Sequence, residues 1–181
     1  MTGSAPGYGN PCSPVVLIGQ SLCMPCMTTQ VPFTGGSGRI LDRAFELAGV
    51  AKAEVFLTNV VHCHPPANRA SRPYEIENCA SFLEQELGLV APLLIIGFGR
   101  DAAAWLRKRL TAEWDLFERL DQFSPSPSRR AILLARHPAY ILRRASAERA
   151  TFAADLAAAV RWSFSVRRSG GTPPSLKGLD E

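Results

Sequence analysis

Four short apolar runs, each closed by glycine or polar residues and separated from the next by a segment of helical period, constrain this chain more than any other feature. The runs are Val15 to Ile18, Glu54 to Leu57, Leu93 to Ile96 and Ala131 to Ala135. Each has the length of a buried strand. Between the first two, Ser37 is placed to cap a helix with Ile40, Leu41, Ala44 and Ala48 on one face, and Gly49 ends it. After Pro73, the residues Ile76, Ala80, Leu83 and Leu87 recur at intervals of three or four. Ala-rich helices are predicted over Asp101 to Leu110 and Ser146 to Trp162. Strands alternating with helices imply parallel pairing, because a crossover helix returns the chain to the same end of the sheet. The predicted fold is a three-layer α/β/α sandwich around a mostly parallel four-stranded sheet. Ligands of such folds sit outside the carboxyl ends of the strands. Here those ends carry Gly19, Gln20 and Ser21, then Thr58 and Asn59, then Gly97 to Gly99, then Arg136 and His137. They are expected to converge on one edge.

With 181 residues, the chain has the length of one domain. We expect a single domain over residues 1–166, a disordered tail over 167–181, and a flexible Ser/Pro-rich loop from Ser124 to Arg130. Apolar residues make up 46% and charged residues 20%, which excludes a disordered chain. No apolar run approaches the roughly 18–20 residues that span a bilayer, and the first residues lack a signal-peptide pattern. A cytoplasmic, nucleoid-associated monomer with no membrane partner is expected. Residues 1–90 hold five basic and seven acidic side chains; residues 91–181 hold fifteen and nine. Three of the twenty cations are Lys, and Arg is the better phosphate ligand because its planar fork engages two oxygens. A basic C-terminal half suits nucleic acid, although charge alone also fits a solvated surface.

Five cysteines lie at Cys12, Cys23, Cys26, Cys63 and Cys79, with His62 and His64 flanking Cys63. Five cysteines in a chain read as intracellular do not suggest a disulfide framework. Metal or cluster binding and plain buried thiols remain open.

The segment after the first strand reads GQSLCMPCMTTQVPFTGGSGRILD, the second strand runs into TNVVHCHPPANR, and PYEIENC follows. The third strand ends in IIGFGRDAAAWL and the fourth runs into ARHPAYILRR. Together, in this order and at these intervals over residues 15–144, they resemble the uracil-DNA glycosylase superfamily, most of all its iron–sulfur, family-four type. The resemblance implies hydrolysis of the N-glycosidic bond of uracil, and of other deaminated bases, in DNA, leaving an abasic site. The base must leave the stack to be reached.

Residue by residue, the resemblance implies that Phe33 stacks on the base. It implies that Asn59 reads uracil N3–H and O4, a pattern cytosine reverses. His137 would donate to uracil O2 as charge develops on the leaving base. Gly19, Gln20 and Ser21 would border the base and its attacking water. Arg143 would hold a phosphate, with Arg136 and Arg144 as further phosphate ligands. Ile141 or Leu142 would wedge into the gap left by the flipped base.

The sequence departs from the family at two places. Gln20 stands where the family-four type has Glu, and Ser21 where classical members have Asp. Neither is a general base, so Gln20 is expected to orient the water by hydrogen bonding. The family's four-cysteine cluster is matched by Cys63 and Cys79 only. Its N-terminal C-x-x-C pair is missing from its place, and the C-x-x-C present here, Cys23 and Cys26, lies in the active-site loop. A [4Fe-4S] cluster completed by Cys12 and a loop cysteine, a zinc site, and free thiols are all consistent with this pattern. The segment from Pro65 to Asn78 lacks the His-bearing insertion of the branch that bonds covalently to abasic DNA. Two other functions stay in view: a catalytically weak or inactive member that binds uracil-containing or damaged DNA, and a nucleotide hydrolase on the same scaffold.

Overall fold

A computed structural model describes residues 4–109 and 114–170. The strands are β1 (Tyr8–Gly9), β2 (Val15–Ser21), β3 (Phe56–Val61), β4 (Leu94–Phe98), β5 (Trp114–Phe117) and β6 (Arg130–Ala135). The helices are α1 (Met24–Thr29), α2 (Gly38–Ala48), α3 (Pro73–Val90), α4 (Gly99–Arg109), α5 (Pro138–Ile141) and α6 (Ser146–Arg168).

The four expected strands form the centre of one sheet, in the order β1-β3-β2-β4-β6-β5. All pairs are parallel except β1 with β3. Among the described residues six strands replace the four expected. The two additions are edge strands, too short or too exposed to show as apolar runs. β1 has two residues, and β5 reads WDLF with only Trp114 buried. The second strand starts at Phe56, because Lys52–Glu54 forms a 3₁₀ turn.

Alternation along each strand feeds two separate cores, as a sheet covered on both faces requires. Val15, Leu17, Leu57, Leu94, Ile96 and Leu133 pack with residues of α2 and α6 on one face. Val16, Ile18, Val60, Ile95, Ile132 and Leu134 pack with α3 and α4 on the other. This double burial explains why the central strands read as continuous apolar runs.

The helix expected after Ser37 forms, but the Ser37 side chain makes no capping hydrogen bond, and its backbone is already helical. Instead the Gly38 N–H closes a turn onto Gly35 O at 2.8 Å. Gly49 ends α2 as expected, in the left-handed conformation. α4 begins two residues earlier than predicted, and Leu110 lies outside the described residues. α6 continues to Arg168, past both the expected helix end and the expected start of the tail; residues 171–181 lie outside the described residues. Arg130, placed in a flexible loop by the sequence, is buried at the start of β6 with its guanidinium 5.5 Å from the Trp114 ring.

Candidate active site

The chain passes from β2 outward to β3, then crosses to β4 on the other side of β2, which puts the topological switch point between β2 and β4. Crevices at such points are where open α/β sheets bind ligands. In register, Ile18 faces Gly97 and Gly19 faces Asn59. Phe98 faces Ala135 on the next strand, two residues before His137. The strand ends therefore meet as the sequence predicted.

Phe33 enters this edge from the loop between α1 and α2. Its φ is 58°, a left-handed conformation that non-glycine residues rarely adopt. Such strain persists where surrounding structure enforces it, and it concentrates at functional sites. Here Lys52 Nζ donates to Phe33 O at 3.0 Å, and any side chain at Gly38 would collide with that carbonyl. The Phe33 ring is held edge-on to Phe98 at 5.9 Å and tilted by 35° to the His137 ring at 6.4 Å. Gly19 is needed for close approach: a Cβ there would stand 2.7 Å from Phe33 Cζ and would also strike Asn59 Oδ1.

Asn59 is 4% exposed, yet its carboxamide makes no hydrogen bond to any described residue. A buried amide without a protein partner is available to a ligand that supplies one, and Asn59 and Phe33 both stand outside the lining of the cavity around His137.

His137 caps the short α5. Its Nδ1 accepts the Ala139 N–H at 3.1 Å. That bond assigns the tautomer: the proton sits on Nε2, which remains a donor. Burial pushes the His137 pKa below its ordinary value, which keeps the ring neutral at pH 7. Gln20, Ala70, Phe98, Gly99, Arg100, Asp101 and His137 line a cavity of about 240 Å³. Ser21, expected beside the ligand, is paired with Val61 in the sheet register and is not part of that lining.

The segment after His137 only partly matches its expected surface role. Arg143 is exposed, and its Nε approaches Ala139 O at 3.4 Å. Leu142 is half-buried against the turn holding Gly36. Ile141, the other wedge candidate, is 2% exposed and packs in the core, so it cannot reach a base stack. Arg136 and Arg144 place their guanidiniums 5.4 and 5.5 Å from the ring centroid of Tyr140, which is 45% exposed. Both also pair with Glu148. Sequence reasoning passed over Tyr140, although its place in HP-A-Y was visible. It also passed over Asp101, whose position depends on where the helix begins.

The cysteines do not assemble into a four-ligand site. Cys23 and Cys26 form a disulfide with each other, which removes both as thiolate ligands and corrects the expectation that one of them could complete a cluster or zinc site. Only Met24 and Pro25 lie between the two cysteines, so the bond joins no separate elements. Cys12 is exposed, with its N–H on Asn10 Oδ1. Cys63 and Cys79 line a common cavity of about 210 Å³ with His64 and Glu75. Burial raises the Cys63 pKa, and the negative charges that Cys79 and Glu75 can carry add to this. Among the described residues, no three His, Cys, Asp or Glu side chains form a group able to hold a metal ion. His64 is committed otherwise: its Nδ1–H donates to Leu22 O at 2.7 Å, tying the end of β3 to the loop that leads to Phe33.

Behind the site, Glu86 on α3 accepts from Gly7 N–H at 2.7 Å, Thr58 Oγ1 at 2.5 Å and His62 Nε2 at 3.3 Å. Burial pushes this carboxyl upward, but those hydrogen bonds outweigh it, and the net pKa lies below the ordinary value. The network joins the N-terminal segment, β3 and α3. No helix among the described residues is long and apolar enough to cross a membrane.

Comparison with known proteins agrees with this arrangement. The type-4 uracil-DNA glycosylase of Pyrobaculum aerophilum is 32% identical over 158 residues, covering 85% of this chain and 80% of that protein. The type-4 uracil-DNA glycosylase of Archaeoglobus fulgidus is 30% identical over 119 residues, covering 66% of this chain. The chain spans 60% of that relative's length. A type-5 uracil-DNA glycosylase of Thermus thermophilus is 34% identical over 112 residues, 54% of this chain and 51% of that protein. The sequence profile of the Uracil DNA glycosylase superfamily matches residues 6–161, and the chain belongs to that family.

Proposed function

We propose that this chain hydrolyses the N-glycosidic bond of uracil in DNA and leaves an abasic site. The observation that carries this reading is the His137–Ala139 bond, which leaves a neutral imidazole with a free Nε2–H beside the Phe33 ring. The relatives bear this activity in their names.

The uracil, extruded from its stack, lies against Phe33. Asn59 accepts N3–H and donates to O4, and cytosine, with the opposite pattern, leaves the buried amide unpaired. As the C1′–N1 bond lengthens, the electron pair moves onto the base, and His137 Nε2–H donates to O2. A donor already in place costs no reorganisation at that moment. Gln20 holds the water that meets the cationic sugar. Arg143, Arg136 and Arg144 face the phosphates, and Leu142 is the residue left to fill the vacated stack.

In this reading one domain over residues 1–166 carries the activity, as a monomer acting on chromosomal DNA in the cytoplasm. No step runs through an iron–sulfur cluster. Cys63 and Cys79 would supply two of its ligands, and no further pair stands beside them among the described residues. Gln20 and Ser21, in place of carboxylates, favour a second reading, a damaged-DNA binder without turnover. One experiment separates the two: a labelled single-stranded oligonucleotide with one uracil, scored for alkali-labile cleavage. Cleavage by the wild-type chain that is lost in His137→Ala and Asn59→Ala supports the glycosylase. Salt-sensitive binding without cleavage supports the binder.

A further inference from the structure

We infer that Asp101 is the general base of this site, supplying from α4 the carboxylate that the loop after β2 lacks. The inference rests on the glycosylase reading and deepens it.

The sequence leaves a gap in the chemistry: Gln20 and Ser21 can position a water but cannot take its proton. Among the described residues, the cavity that holds Gln20 and His137 has one carboxylate in its lining, and it is Asp101. Its position follows from the sheet. Gly97 on β4 is level with Ile18 on β2, so two residues further on, Gly99 and Gln20 stand at neighbouring strand ends across the switch point. α4 starts there at once, with Asp101 in its first turn. A Cβ on Gly99 would lie 3.3 Å from His137 Cβ, so the start of this helix abuts the imidazole.

The state of the side chain fits the role. It is 12% exposed, sheltered enough to be shielded from bulk water. Its Oδ1 accepts from Arg100 Nε at 3.2 Å, and Arg100 is 85% exposed, so this pair restrains the carboxylate weakly. Oδ2 accepts no hydrogen bond from a described residue. Among the described residues no other acid lines this cavity, and Glu75 is occupied with Arg69.

The C1′–N1 bond breaks, and its electron pair leaves with uracil, whose O2 charge is met by His137 Nε2–H. The oxygen of the water held by Gln20 bonds to C1′, and one of its protons passes to Asp101 Oδ2, then to solvent. The uracil anion takes its proton from solvent on release.

The test is Asp101→Asn, which keeps shape and loses basicity, in single-turnover cleavage of a uracil oligonucleotide. General-base help is typically worth about 10²–10⁴-fold. The expected result is a loss of about 100-fold or more in rate. Affinity for the same oligonucleotide carrying a non-cleavable uracil nucleoside should change by less than about twofold, since the base contacts are untouched. Adding Gln20→Glu to Asp101→Asn should restore much of the rate, because the missing element is a carboxylate at this cavity. A rate for Asp101→Asn within about twofold of wild type overturns the inference, as does a rate loss matched by an equal loss of affinity. If the wild-type chain cleaves nothing, and His137→Ala is equally silent, the glycosylase reading itself fails and Asp101 falls with it.

Discussion

The Ala139 N–H donates to His137 Nδ1 at 3.1 Å, and this contact sets which nitrogen of the imidazole carries its proton. Protonation of His137 would set two donors against each other at that position. Burial already lowers the pKa of this ring, so the folded protein prefers it neutral. The sign follows: the unfolded chain takes up the proton first as pH falls, so stability is full above about 6.5 and is lost as pH falls from there toward the folded value. Cleavage rate is expected to be level above pH 6.5 and to drop on the acid side, with thermal stability declining over the same range. His137→Asn should remove the stability trend in that window. Rate profiles and melting curves of both proteins between pH 5 and 8 check this.

Gly19 is packed against both Phe33 and Asn59, the residues proposed to stack on and read the base. A methyl at this position meets Asn59 Oδ1 and the Phe33 ring, neither of which is the end of a flexible chain. Gly19→Ala is expected to cost about 1–3 kcal/mol of stability through overpacking. It should reduce cleavage by far more than that stability loss explains. Chemical denaturation and single-turnover kinetics on the same preparation separate the two effects.

Glu86 supports the site from behind. Glu86→Ala leaves Thr58, His62 and the Gly7 N–H without their shared acceptor, and should cost about 1–3 kcal/mol, the range for groups left unsatisfied. Because this carboxyl titrates below its ordinary value when folded, its contribution is present at neutral pH and lost as pH falls through the folded pKa. Urea denaturation at pH 7 and at pH 4 should show a smaller gap between variant and wild type at the lower pH.

The cysteine arrangement makes a chemical prediction. Alkylation of the unfolded, unreduced protein should label Cys12, Cys63 and Cys79 but not Cys23 or Cys26. Protein prepared without oxygen should carry far less iron than four atoms per chain, and Cys63→Ala with Cys79→Ala should keep its uracil cleavage. Mass spectrometry and an iron assay read this out. A stoichiometric cluster whose loss unfolds the protein would contradict it.

Much of this fold was legible because the central strands are buried on both faces, which makes them stand out as unbroken apolar runs. β1 and β5 carry no such signature: their burial is partial, and their pairing depends on partners distant in sequence. Phe33, Asn59 and His137 were proposed from the motifs around them, and the structure brings Phe33 close to both His137 and, across Gly19, Asn59. Motifs could not separate Ile141 from Leu142, since which of two adjacent apolar residues turns inward depends on how α5 docks against the core. The Cys23–Cys26 bond was missed because a C-x-x-C spacing serves metals and disulfides alike. Asp101 carried no signal, since its place in the cavity follows from α4 starting directly at the end of β4.

The most direct test of the glycosylase assignment is single-turnover cleavage of a uracil-containing single-stranded oligonucleotide by the wild-type chain, beside Asn59→Ala and His137→Ala. Cleavage by the wild type, reduced by about 10² or more in each variant, is the predicted result. Wild-type protein that binds the oligonucleotide and leaves every uracil in place would contradict it.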